Sequence, residues 1–173
     1  IAFRYDFLNH LFSFNIDRRW RKRAVREIRK YAPLSMLDVA TGTGDFAIAL
    51  TSLNPEKITG IDISEKMIEE GRKKITKKEL NHIIELCPGD AEDLKFATNS
   101  FDAVTVAFGV RNFENLQQGI NEIHRVMKPG GILAVLEFSK PRNPFFKFMY
   151  YFYFHYIMPL VGRMISGNKR AYS

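Results

Sequence analysis

Apolar residues recur along this chain in two alternating rhythms. Short apolar runs stand at Met36–Val39, Ile58–Asp62, Ile83–Cys87, Phe101–Ala107 and Ile132–Phe138, and each reads as a buried strand. Between them, apolar positions return every three or four residues, the period of a helix. That spacing predicts helices over 18–31, 45–53, 65–79 and 115–127. Asp17 is placed to cap the first, in which Trp20, Ala24 and Ile28 share a face, and Pro33 ends it. Ser64 opens the third. In the last, Leu116, Ile120, Ile123 and Met127 share a face, and Lys128-Pro129-Gly130-Gly131 stops it. Strands alternating with helices predict an α/β fold, a doubly wound, mostly parallel sheet with helices on both faces. The expected organisation is one domain over 1–173: a helical segment at 1–35, a ligand-binding core at 36–139 and an aromatic segment at 140–173.

Charge divides the chain at the same places. Residues 1–35 carry nine basic and three acidic side chains, 140–173 six basic and no acidic ones, and 36–139 eleven basic and sixteen acidic. The overall charge of +7 therefore comes from two basic ends around an acidic middle. Such ends suit an anionic partner, a membrane surface or a nucleic acid, or else serve as solvated faces. Nine aromatic residues fall between Phe145 and Tyr156, but Lys147, His155 and Pro159 interrupt the apolar run, which is too short for a membrane span. Two compatible expectations follow for 145–161: a lid over the site, or a helix in a membrane interface. Cys87 stands alone in an apolar run, which excludes an internal disulfide and suggests a buried strand position. The four histidines form no metal-ligand cluster, so no metal is expected. No targeting segment is visible at the start.

The densest chemistry follows the first strand. Leu37-Asp38-Val39-Ala40-Thr41-Gly42-Thr43-Gly44-Asp45 is an apolar run, an acidic residue and a glycine turn leading into a helix. Gly42 and Gly44 permit a tight turn and a close approach to a ligand. Asp62 closes strand two, 18 residues after Gly44, where a carboxylate accepts from both hydroxyls of a ribose. Asp90-Ala91 closes strand three, where a side chain and a backbone N–H can take an adenine edge. Together these predict an adenosine with free hydroxyls. Dinucleotide-binding domains share the glycine turn, so the turn alone does not identify the ligand.

Phe101-Asp102-Ala103-Val104 and Lys128-Pro129-Gly130-Gly131 resemble motifs of the S-adenosylmethionine-dependent methyltransferases. Further segments are similar to those of the quinone C-methyltransferase family. They are Tyr5-Asp6-Phe7-Leu8-Asn9, Arg19-Trp20-Arg21, Phe108-Gly109-Val110-Arg111-Asn112, Leu136-Glu137-Phe138-Ser139-Lys140-Pro141 and the late Tyr153, Pro159, Gly162, Tyr172 spacing. The resemblance runs nearly end to end. It implies S-adenosylmethionine as cofactor, bound by Asp38, Gly42, Thr43, Gly44, Asp62, Asp90, Ala91 and Ala107. It also implies carbon methylation of demethylmenaquinol or a ubiquinone precursor. Two departures stand out. Ala107 occupies a place that is often Ser in the family, and the chain is expected to end before two further strands of the superfamily sheet.

Methylating a ring carbon requires a neighbouring phenol to lose its proton, a positive partner for the phenolate and alignment of the reacting atoms. Arg111 is the expected phenolate partner, with an ion pair holding its loop as the alternative. Asp45 is the expected base, with charge at a helix start as the alternative. Tyr5 and Asn112 are expected to relay or orient a proton, and His155 is expected to be a packed lid residue. A prenylated hydroquinone resides in the bilayer. The chain is therefore expected in the cytoplasm, docked on the inner face of an anionic membrane through 18–30 and 142–170. Competing readings are another lipid phenol, a nucleic-acid methyltransferase and a dinucleotide-binding module. Oligomeric state is left open.

Overall fold

Each apolar run forms a strand, and the five strands build one sheet in the computed structural model, which describes residues 16–137. In chain order the elements are α1 (Ile16–Ile28), β1 (Ser35–Val39), α2 (Asp45–Leu50), β2 (Lys57–Asp62), α3 (Glu65–Lys77), β3 (Ile84–Pro88), β4 (Phe101–Ala107), α4 (Leu116–Val126) and β5 (Met127–Leu136). The strand order is β3-β2-β1-β4-β5, with every neighbouring pair parallel. The order reverses between β1 and β4, and this switch point is where open α/β sheets bind ligands.

The sheet separates two cores because alternate residues of each strand face opposite sides. Met36, Ile58, Ile84, Leu86 and Ala103 pack with Val25 and Ile28 of α1, Phe46 and Leu50 of α2, and Ile68 and Ile75 of α3. Leu37, Val39, Ile61, Val104 and Val106 pack with Ile123 and Val126 of α4 on the other side. Burying each of these large side chains is worth roughly 1.5–3 kcal/mol.

Several boundaries depart from the sequence expectation. Asp17 lies within α1, not at its cap, and α1 ends at Ile28. A 3-10 turn follows over Arg29–Tyr31 and closes on Ala32 in the left-handed region, with φ 43°. The inner face of α4 is Gly119, Ile123 and Val126, whereas Leu116 is half exposed and Met127 already belongs to β5. Gly119 is there because Phe113 lies over it; a Cβ would come within 2.5 Å of the ring. Cys87 is half-buried on β3, and burial pushes its thiol up from the ordinary value. The expectations for Tyr5, for 138–173 and for their motifs lie outside the described residues.

The Lys128–Gly131 segment does not separate α4 from a later strand. Met127 pairs with Phe101 and Ile132 with Ala103, so the intervening residues bulge out of β5. Lys128 Nζ donates to Asp102 Oδ1 at 2.8 Å, and Asp102 Oδ2 accepts from the N–H groups of Leu34 (3.0 Å) and Ser35 (2.8 Å). The Lys128 hydrogen bond, then the Ser35 N–H, lowers the Asp102 carboxyl below its ordinary range. The two segments that resemble methyltransferase motifs thus meet at the amino end of the sheet. Their work is to fix where β1 and β5 begin, across the sheet from the ligand end.

Candidate functional site

At the carboxyl ends of β1, β2 and β4 the chain leaves the sheet in three turns that surround a cavity of about 490 Å3. That volume lies within the usual range for small-molecule sites. The first turn follows β1. Ala40, Gly42 and Gly44 have positive φ (53°, 59° and 78°), which coils residues 40–44 tightly before α2. Thr41 N–H donates to Ile61 O at 2.9 Å and Gly44 N–H to Thr41 O at 3.0 Å.

Two carboxylates hold this turn. Asp62 Oδ2 accepts from Gly42 N–H at 2.8 Å, and its Oδ1 accepts from Ser64 N–H at 2.9 Å. Each oxygen keeps a further lone pair, so Asp62 can order the turn and still accept from hydroxyls in the cavity. Asp38 is fully buried within β1. Thr41 Oγ1 donates to its Oδ2 and Thr105 Oγ1 to its Oδ1, both at 2.6 Å. Burial dominates and pushes the Asp38 carboxyl up to about 6, against the pull of the two hydroxyls, Arg21 and the Ala47 N–H.

Helix α3 presses on the turn from outside. Lys74 Nζ donates to Thr43 Oγ1 at 2.6 Å and to Asp45 Oδ1 at 2.7 Å. Arg21 of α1 meets the other Asp45 oxygen at 3.6 Å. Asp45 is therefore an ion-paired residue that ties α1 and α3 to the start of α2. At the far side, β4 ends in Ala107 and Phe108, the latter with φ 60°. The following 3-10 turn presents Arg111 and Asn112 to the cavity, and Arg111 Nη1 donates to Glu137 Oε1 at 3.3 Å. Trp20 of α1 packs on Phe108 with ring centroids 6.3 Å apart.

Of the residues expected from the sequence, Asp38, Gly42, Thr43, Asp45 and Asp62 line the cavity on one side, and Ala107, Arg111 and Asn112 on the other. Gly44, Asp90 and Ala91 do not line it. Gly44 is buried beneath the turn against Leu86, where a Cβ would come within 3.3 Å. Asp90 is exposed beyond β3, and its Oδ1 accepts from Glu92 N–H at 2.9 Å. It stays close to Asp62 because Gly89 N–H donates to Asp62 O at 3.0 Å. The sequence does not mark Thr105, whose hydroxyl satisfies Asp38, and it groups Arg21 with the basic surface. Nor does it mark Phe46 and Met67, the apolar walls. Arg21 stands one residue after Trp20, which shares a face with Ala24 and Ile28. That was the available signal.

The described residues contain no group of His, Cys, Asp or Glu placed to hold a metal ion. The charges around the cavity are organic: Arg21, Lys66 and Arg111 against Asp38, Asp45 and Asp62.

Comparison with known proteins bears on this site. The profile of the ubiE/COQ5 methyltransferase family matches residues 1–173. The chain belongs to that family. A Bacteroides fragilis relative, "Demethylmenaquinone methyltransferase", is 46% identical over all of this chain and 71% of its own length. A Geotalea daltonii relative, "Ubiquinone/menaquinone biosynthesis C-methyltransferase UbiE", is 48% identical over 96% of this chain and 72% of its own. Among solved structures, a SAM-dependent methyltransferase from Aquifex aeolicus matches with TM-score 0.61 and 25% identity, over 69% of this chain and 66% of that one. The [4+2]-cyclase SpnF matches as well, with TM-score 0.64 and 29% identity, over 70% of this chain and 46% of that one. A fold that also serves a cyclase does not specify methyl transfer. Membership of the ubiE/COQ5 family does, because its profile extends over the whole chain.

Proposed function

We propose that this protein methylates a ring carbon of demethylmenaquinol, with S-adenosylmethionine as the methyl donor. The observation that carries the reading is the cavity at the β1–β4 switch point, with a carboxylate-held glycine turn on one side and Arg111–Asn112 on the other, in a chain of this family. The residues present fit the cofactor. Asp62 retains acceptor capacity toward a ribose, the coiled backbone at 40–44 admits close approach, and Phe46 and Met67 supply apolar walls. When bound, the sulfonium of the cofactor supplies an electrophilic methyl group.

The protein's share is positioning and charge. Asp62 and the turn at Gly42–Thr43 would hold the nucleoside end, and Asp90–Ala91, one strand over and outside the cavity lining, would meet an adenine that extends past Asp62. Asp38 and Gly44 set the shape of the turn from below. Ala107 closes the wall near the reacting end with a methyl group, so any cofactor contact there is through backbone. Arg111 faces the developing phenolate, and Glu137 aims it. Asp45, which pairs with Lys74 and Arg21, is our candidate to accept the phenol proton, with Asn112 and Tyr5 as the candidates to orient it.

A ubiquinone precursor is the second reading, favoured by the double name of the Geotalea relative. For the partner, we favour an anionic membrane surface at the inner face of the cell membrane. Helix α1 exposes Arg19, Lys22, Arg23 and Arg26 on its outer side, with Arg29 and Lys30 just beyond it. Each such cation is worth about 1 kcal/mol near an anionic leaflet. Among the described residues no helix is long and apolar enough to cross a membrane. Flotation with anionic liposomes, lost at high salt, is the expected result; equal flotation with neutral liposomes would refute it.

The functional test is calorimetric binding of S-adenosylhomocysteine, then transfer of labelled methyl to reduced demethylmenaquinone on the same sample. Binding with turnover is expected. Binding with transfer only to a ubiquinone precursor would select the second reading. A folded protein that binds no S-adenosylhomocysteine would overturn both.

A further inference from the structure

The start of α4 is held by a residue 23 positions earlier in the chain. Asn115 is the N-cap of α4, and its Oδ1 accepts from Gln118 N–H at 3.1 Å. In a capping box the side chain three residues into the helix returns the bond by accepting from the N–H of the cap. A glutamine can do this, but Gln118 does not. Its Nε2 donates instead to Glu92 O at 2.9 Å, and Glu92 Oε1 takes the vacated place, accepting from Asn115 N–H at 2.9 Å. A carboxylate there also meets the positive end of α4, whose first turn has no acidic residue of its own.

These two bonds join segments that leave different strands of the sheet. Glu92 belongs to the turn after β3. Its own N–H donates to Asp90 Oδ1 at 2.9 Å, and Gly89 N–H reaches Asp62 O at 3.0 Å. This is the stretch that would meet an adenine. Asn115 ends the loop that leaves β4 and carries Arg111 and Asn112 past the cavity. The near end of that loop is pinned where Phe108 N–H donates to Leu136 O at 2.8 Å. Within the loop the backbone bonds are local, from Asn112 N–H to Gly109 O at 2.9 Å and from Phe113 N–H to Val110 O at 3.3 Å. The Glu92 carboxylate therefore fixes the far end of the loop to the turn after β3. Ala91 and Phe113 rest on the same apolar core beneath both segments.

We infer that Glu92 is a positioning residue that ties the adenosine end of the site to the Arg111–Asn112 loop, so that occupancy of the first orders the second. This rests on the S-adenosylmethionine reading given above. The tie suits a relay because its acceptor is charged, and such hydrogen bonds are stronger than neutral ones. A cofactor that settles against Asp90–Ala91 then steadies Arg111 before the ring substrate arrives. By linkage, an ordered loop favours the bound nucleoside in return.

The test is amide hydrogen exchange on the full chain, with and without saturating S-adenosylhomocysteine. In wild-type protein the ligand is expected to slow exchange at 40–44 and at 108–115, the latter by about fivefold, the lower end of coupling between sites. Glu92→Ala is expected to keep the slowing at 40–44 and to lose it at 108–115. Glu92→Gln retains an oxygen for the Asn115 N–H and is expected to keep most of it. Gln118→Ala cuts the second tie; it reads the same difference if Glu92→Ala does not fold, and a partial loss is expected. A role in stability alone would speed exchange with and without ligand and leave their ratio unchanged. Undiminished slowing at 108–115 in the alanine variant that is read would overturn the inference while leaving the cofactor reading intact. So would its absence from wild-type protein that binds the ligand, or a Gln variant as deficient as Glu92→Ala. Failure of wild-type protein to bind S-adenosylhomocysteine would instead remove the cofactor reading and, with it, this inference.

Discussion

Replacing Gly71 by Ala sets two effects of opposite sign against each other. Gly71 lies in the middle of α3, where Ala is ordinarily better by about 0.8–1.0 kcal/mol. On an open helix face the change would therefore stabilise. Here a Cβ would stand 2.5 Å from Leu86 Cδ1 and 3.1 Å from the carbonyl carbon and oxygen of Thr43. Leu86 is not free to retreat. Its Cδ1 already borders Gly44, and its Cδ2 fills the space that a Cβ on Gly60 would enter at 2.4 Å. Three glycines thus make the socket of one leucine beneath the turn, and the backbone of Thr43 is the other obstacle. Overpacking of this kind costs typically about 1–3 kcal/mol, which at least cancels the helix preference. The expected net is a loss of up to about 2 kcal/mol in urea unfolding at pH 7. Because the obstructed backbone is that of the glycine turn, weaker S-adenosylhomocysteine binding should accompany it. A Gly71→Ala protein more stable than wild type by the full helix preference, with unchanged affinity, would refute the reasoning.

Three other outcomes are expected. Asp38 has a carboxyl near 6 in the folded chain and near 3.9 when unfolded, so between those values the folded state holds the extra proton. Its contribution to stability therefore falls as pH rises from about 4 to about 6, by roughly 3 kcal/mol. In Asp38→Asn the two threonine hydroxyls can still pair with the side chain. The variant should be less dependent on pH across that window and more stable than wild type at pH 7; a constant difference in urea melts between pH 4 and pH 7 would count against this. Asp102→Ala leaves the Leu34 and Ser35 N–H groups and Lys128 without their acceptor and should cost about 2–3 kcal/mol. Because that carboxyl is held low, the stabilisation is complete at neutral pH and is lost as pH falls below the ordinary carboxylate range. S-adenosylhomocysteine affinity should not change, since Asp102 stands at the opposite end of the sheet. Arg111→Met should lower kcat by about a hundredfold with little change in S-adenosylhomocysteine Kd. A matching loss of cofactor affinity would place Arg111 in the wrong role.

The sequence displayed the sheet because strand and helix periods alternate cleanly from Met36 to Leu136. It displayed Asp38, Gly42 and Asp62 because a carboxylate at a strand end and a glycine turn are local signals. It concealed what depends on distant partners. Nothing near Thr105 marks it as the donor to Asp38, 67 positions away. Asp45 reads as a free acid at a helix start until Lys74 and Arg21 arrive from two other helices. Lys128-Pro129-Gly130-Gly131 reads as a stop because Pro and Gly punctuate, but the parallel pairing of β4 and β5 absorbs it as a bulge. Arg125, one of several basic residues near α4's end, grips the carbonyls of Leu94 and Phe96 and pairs with Glu122, fixing the path from β3 to β4.

The two strained residues of the ligand end show why the cavity is where it is. Ala40 and Phe108 end adjacent parallel strands, and both take up left-handed backbone, at φ 53° and 60°. Each such residue costs on the order of 1–2 kcal/mol, which only surrounding contacts can sustain. Those contacts are visible. Gly109 lies so near Ala40 that a Cβ would come within 2.4 Å of the Ala40 Cβ, while Trp20 covers Phe108. By turning there, β1 and β4 part from each other, and the space between them becomes the cavity. The contact that sustains one of the two strained residues comes from α1, the helix that also delivers Arg21. The site therefore depends on a segment preceding the glycine turn, and local motifs alone would not assemble it. Weakening the grip of α1 on the sheet should loosen Phe108 and withdraw Arg21 together.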